Sequence, residues 1–186
     1  MVFYDPGHEA ASEHTLSVFT ENRVGLLHRV TSVFTRRNLN IESLTVSDSE
    51  VPGVHRFTIV VRASAAQARK VAAQLERQVD VLKAFVHGEG DVLMRDLALY
   101  KLDGRRAGPT LDAVVAAHGA RVLEQSVALI VLELTGSEGQ TTAFFHALAP
   151  FGVVEFVRSG RVALTRPMRP LESFLEELEA TSHDAG

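Results

Sequence analysis

Apolar and polar positions along the chain alternate and cluster in two successive rounds of the same order. Thr15 to Thr20 reads as a strand, after which Leu26, Leu27, Val30, Val33 and Phe34 recur at helical spacing. Arg36 and Arg37 suit the negative end of that helix, and Asn38 can close it in the left-handed conformation. Asn40 to Val46 forms a second strand, Asp48 to Gly53 a turn, and Phe57, Ile59 and Val61 alternate on a third strand. Ser64 and Gln67 stand at the spacing of a capping box, opening a helix with Ala68, Val71, Ala72, Leu75 and Val79 on one side. Val81 to Val86 is the fourth strand.

After a lapse at His87 to Asp91, where Gly88 and Gly90 read as linker, the pattern starts again. Leu97 to Leu102 is a strand and Gly104 to Gly108 a basic turn. Pro109 opens a helix carrying Leu111, Val114 and Val115, and Gly119 ends it. Ala120 to Gln125 and Val127 to Leu134 follow as strands. A second capping box, Ser137 with Gln140, begins a helix with Phe144, Phe145 and Leu148, stopped by Pro150 and Gly152. Val153 to Val157 and Val162 to Thr165 complete the sheet. The fold class is α+β: two ferredoxin-like α/β sandwich modules, the first βαββαβ and the second of similar architecture. The boundaries read as a flexible leader 1–13, a first module 14–88, a second 89–169, and an acidic tail helix 170–186. On that tail Leu171, Phe174, Leu175 and Leu178 make an apolar stripe, which either packs on its own module or docks a partner.

Composition narrows the chemistry. With 186 residues, 46% hydrophobic and 23% charged, the chain is an ordinary globular protein, long enough for two small modules. Cysteine is absent, which removes disulfides, thiolate catalysis and cysteine zinc sites. The formal charge of -4 argues against a nucleic-acid binder. No run spans a bilayer and the N-terminus lacks a signal-peptide pattern, so a cytoplasmic protein is expected.

Catalytic motifs are missing. His8, His14, His28, His55, His87, His118, His146 and His183 are scattered, without metal-ligand spacing. Gly88-Glu-Gly90 is no dinucleotide fingerprint, and Gly136-Ser-Glu-Gly139 lacks nucleophile-elbow spacing. No catalytic residue and no metal site are expected. Arg158, Arg161, Arg166 and Arg169, like Arg105 and Arg106, read either as a solvated strand edge or as contacts for phosphate or an acidic partner.

The informative stretch is Thr20-Glu-Asn-Arg-Val-Gly-Leu-Leu27, followed by Asn38-Leu-Asn-Ile-Glu-Ser-Leu44. In a βαβ unit the end of strand one, the start of helix one and the start of strand two can converge. Gly25 permits close approach to the backbone, and the helix after it opens with N–H groups that suit a carboxylate. Asn22 and Asn40 offer oxygens to an ammonium group, and Val24, Leu26 and Ile41 offer hydrocarbon. Such a set fits a free amino acid; the same residues equally serve as plain turn residues.

This stretch resembles the ACT domain of the regulatory small subunit of acetolactate synthase (acetohydroxyacid synthase). Similar too are His14-Thr-Leu-Ser-Val-Phe, Gly25-Leu-Leu-His-Arg-Val, Asn40-Ile-Glu-Ser-Leu-Thr-Val and Val79-Asp-Val-Leu-Lys. In the second half Arg95-Asp-Leu-Ala-Leu-Tyr-Lys, Leu134-Thr-Gly-Ser and Pro150-Phe-Gly-Val-Val-Glu-Phe-Val-Arg-Ser-Gly continue it. The resemblance implies a chain without activity or cofactor of its own. It would activate a separate catalytic subunit that uses thiamine diphosphate, magnesium and FAD, and would confer feedback inhibition by valine, in branched-chain amino acid biosynthesis. It implies a homodimer joined through ACT sheets, with valine at the seam, contacted by Asn22, Val24, Gly25, Leu26, Leu27, Asn40 and Ile41. Asn38 stands where the family commonly has glycine, Arg23-Val24 where it is more often polar, and Arg166-Pro167 where it has Arg-Gly; the tail has no counterpart. Two rivals compete: a stand-alone ACT-domain sensor acting on transcription, which lacks a recognition helix, and a small enzyme, which lacks a nucleophile–base pair.

Overall fold

The computed structural model describes residues 11–88 and 90–166, with positions 173 and 176; the tail stripe and Arg169 lie outside the described residues. The first round of elements is β1 (Ser12–Glu21), α1 (Leu26–Thr35), β2 (Ile41–Asp48), β3 (Val54–Ala63), α2 (Ala65–Leu75) and β4 (Val81–Val86). The second is β5 (Val92–Asp103), α3 (Pro109–His118), β6 (Arg121–Gln125), β7 (Leu129–Gly136), α4 (Glu138–Ala147), β8 (Val153–Arg158) and β9 (Val162–Thr165). The first sheet runs β2-β3-β1-β4 and the second β6-β7-β5-β8, so the second repeats the first; β9 pairs with β5 off that path. The two ferredoxin-like modules are therefore present. Two compact units divide the chain, residues 1–93 with 163–186 and residues 94–162.

Local chemistry explains the elements. Both capping boxes form: Ser64 and Ser137 accept from the amides of Gln67 and Gln140, whose side chains accept in return from the cap amides. Asn38 takes φ 52°, and Gly119 caps α3 in the left-handed region. In the first unit Leu16, Val18, Val30, Val33, Phe34, Ile59, Val71 and Leu75 form the core between helices and sheet. In the second, Tyr100, Leu102, Leu132, Phe144 and Leu148 do so, with the buried Tyr100 hydroxyl donating to the Thr141 carbonyl at 2.7 Å. That burial pushes the Tyr100 phenol up to about 12.

Three expectations need correction. Val79 is 96% exposed, because α2 ends at Leu75 and the chain has turned before reaching it. Leu27 is 50% exposed, because Leu26, Val30, Val33 and Phe34 already fill the inward stripe of α1. Arg161 is no solvated edge residue: it is buried and pairs with Glu138 at 2.9 Å, while Arg158 stays exposed on β8 and pairs with the same carboxylate at 3.2 Å. Arg105 pairs with its neighbour Asp103.

Candidate functional site

The β1–α1 junction is built around Gly25, which caps the helix at φ 81° with no side-chain cap hydrogen bond. A residue with a Cβ is strained there, so glycine is the natural occupant. The carbonyl of Gly25 accepts from Arg29 and that of Arg23 from Leu26, while the amides of Leu27 and His28 have no backbone acceptor among the described residues. Those donors point out of a helix end carrying partial positive charge.

The loop leading into Gly25 is braced from two sides. Asn22 donates its amide to the Gly53 carbonyl at 3.0 Å, and Glu21 donates to the Asp80 carbonyl at 2.9 Å. The side chains of Asn22 and Val24 face solvent, Val24 fully. Leu26 does not: it is 4% exposed and belongs to the core. Ile41 also packs against that core from the start of β2. Hydrocarbon open to a ligand near Gly25 thus comes from Val24 and Leu27.

Asn40 lies elsewhere. Its amide nitrogen donates to Glu42 at 3.4 Å, which leaves the side-chain oxygen to accept. Ile41 is opposite Val61 on β3, whereas Glu21 is opposite Val54. Those β3 positions are seven residues apart, about 23 Å at the rise of a strand. The convergence of Gly25 with Asn40 inside one chain, expected from the βαβ order, is not met. The two groups of candidate residues stand at opposite ends of the first sheet, and β2, whose only strand neighbour among the described residues is β3, forms its edge.

Arg29 and Asp80 escaped the sequence reading. Asp80 is a buried carboxylate just before β4; it pairs with Arg29 at 2.5 Å and with Arg23 at 3.3 Å. The i,i+4 spacing of Gly25 and Arg29 was the available signal.

Elsewhere the chemistry is thin. On the face of the first sheet opposite α1 and α2, buried Ser17 meets His87 at 2.8 Å and Arg56 at 3.1 Å. Burial, and then the Arg56 charge, hold the His87 imidazole below its ordinary pKa. In the second unit a cavity of about 140 Å³ is lined by Leu99, Val131 and Val157, with the Lys101–Glu155 ion pair at its rim. No group of metal-binding side chains occurs among the described residues. No helix among them is long and apolar enough to cross a membrane.

Comparison with known proteins matches both units. Residues 16–83 fit the AHAS small subunit-like ACT domain, and residues 95–167 fit the small subunit of acetolactate synthase. The acetolactate synthase small subunit of Mycobacterium leprae is 39% identical over 158 residues, 84% of this chain and 93% of that protein. That of Bacillus subtilis is 35% identical over 147 residues, 78% of this chain and 86% of that protein. The crystal structure of the small subunit from Thermotoga maritima superposes with a TM-score of 0.79 at 28% identity, covering 85% of this chain and 99% of that one. With two-unit architecture, ACT module and full-length relatives in agreement, the chain belongs to the family of acetolactate synthase small subunits.

Proposed function

We propose that this chain activates the catalytic large subunit of acetolactate synthase and makes it sensitive to valine, which binds between two copies of the first unit. The condensation itself takes place on the large subunit, with thiamine diphosphate, magnesium and FAD held there, and this chain supplies no catalytic group.

The observation that supports this reading is the separation of the two candidate half-sites at opposite ends of the sheet that β2 edges. A second copy pairing antiparallel to that open edge would turn its own β2 end for end. Asn40 of one copy would then stand at the end of the joined sheet where the other, two strands in from the seam, holds Asn22 and Gly25. The helix-end amides would take the carboxylate of valine, the asparagine oxygens its ammonium group, and Val24 and Leu27 its side chain. A two-fold pair makes two such sites, each shared by both copies. Occupancy then biases the pairing geometry, and the large subunit reads that bias. Coupling of roughly 1–3 kcal/mol corresponds to a 5–150-fold change in affinity, and by linkage the activated complex binds valine more weakly by the same factor.

Co-purification with the large subunit, followed by an acetolactate assay, tests the proposal. The chain alone should form no acetolactate from pyruvate. Added to the large subunit it should raise the rate, and millimolar valine should lower it again. A rate unchanged by the chain, or an activated rate indifferent to valine, leucine and isoleucine, contradicts it.

A further inference from the structure

Arg29 is the fourth residue of α1, and the tilt of helical side chains toward the N-terminus carries it back over Gly25. Its Nη1 lies 3.6 Å from where a Cβ on Gly25 would stand. Its Nη2 is held by Asp80 Oδ2 at 2.5 Å, and the other oxygen of that carboxylate meets Arg23 Nε at 3.3 Å. The buried Asp80 carboxylate therefore holds Arg29 and touches Arg23, whose Nε is held more closely by Glu21 Oε2 at 2.6 Å. The Nε of Arg29 is buried and has no partner among the described residues. No partner of Nη1 is found among them either.

The placement runs against helix electrostatics. The first turn of α1 holds no acidic residue and carries His28 and Arg29 at the end where an anion is favoured. At the same fourth position of α3 the residue is Asp112, in the favourable sense. A cation tolerated at a helix N-terminus, with one nitrogen turned toward an open glycine, needs an anion for compensation. Asp80 supplies one at Nη2, while Nη1, beside the glycine, has no carboxylate against it among the described residues.

We propose that Arg29, held by Asp80, is the specificity-determining cation of the effector site and selects ligands with a free α-carboxylate. This rests on the reading of the Gly25 loop as that site. The carboxylate would sit between Nη1 and the amides of Leu27 and His28. Arg29 touches the ligand; Asp80 is a positioning residue that acts through it. A ligand with an amide in place of the carboxylate brings no charge and gains little from the guanidinium.

Calorimetric titration of the full chain with L-valine and with L-valinamide separates the possibilities. The unaltered chain should bind valine at least about tenfold more tightly than valinamide. Arg29→Gln should weaken valine by about ten- to a hundredfold and leave valinamide within about twofold. Arg29→Lys, which keeps the charge, covers the case in which glutamine does not fold; it should fall between, still preferring valine. Asp80→Asn should narrow the preference and Asp80→Glu restore it. Equal weakening of both ligands in Arg29→Gln, or no weakening, overturns the inference and leaves the site reading intact. An unaltered chain that binds no valine overturns both.

Discussion

The two units share one layout and differ in the charge of their helices. In the first, α1 and α2 contain no aspartate or glutamate and carry Arg29, Arg69 and Lys70; in the second, α3 and α4 contain Asp112 and Glu138 and no lysine or arginine. Both leading helices start at a glycine without a side-chain cap. Only α1 then places a cation in its first turn. Since the sheets are arranged alike, the difference has no origin in topology. On the proposed reading the first unit is where the effector's carboxylate is met, whereas in the second Arg158 and Arg161 are met by Glu138 of the same unit.

The largest test of that division is Phe144→Ala. Phe144 is fully buried and stacks edge-on against Tyr100 at 4.9 Å, so truncation should cost the second unit about 3–5 kcal/mol. Denaturant unfolding should show the loss, while valine still produces heat under native conditions. Disappearance of the valine heat would mean that the units do not divide the labour as described.

A paired substitution is next in size. Gly25 and Gly119 both sit at left-handed helix ends, with φ of 81° and 66°, and a Cβ on either meets no closer atom than 3.6 Å. Alanine at either should cost about 1–2 kcal/mol of stability. Only Gly25→Ala should also weaken valine binding. Equal affinity in the two variants would remove Gly25 from the site. The smallest effect is expected from Asp112→Arg, which gives α3 the charge of α1. It should lower stability by about 0.3–1 kcal/mol, as read from melting at low salt, without creating a second valine site.

Much of this fold was legible because it is locally encoded. Serine followed three residues later by glutamine closes a capping box through the backbone, so Ser64 and Ser137 announced their helices. Asn38 and Gly119 fixed helix ends for the same reason. What stayed hidden depends on partners distant in sequence. Asp80 is 51 residues from Arg29, and no spacing rule links them. The outward turn of Leu27 and Val79 depends on which stripe the sheet covers. The split of the candidate site is a matter of register: Asn22 and Asn40 are close in the chain, yet β3 pairs with β2 and β1 in a way that sends them to opposite ends.

That split makes the central claim open to a complementation measurement. Gly25→Asp places a carboxylate where valine would bring its own, and aspartate tolerates the left-handed backbone better than most residues. Asn40→Ala removes the opposite half-site. Each variant alone should bind no valine. Refolded together in equal amounts, about half of the pairs are mixed, and each mixed pair holds one undamaged site and one doubly damaged site. Titration should therefore recover about a quarter of the original valine stoichiometry at the original affinity. A mixture as silent as its two components would contradict a site shared between copies.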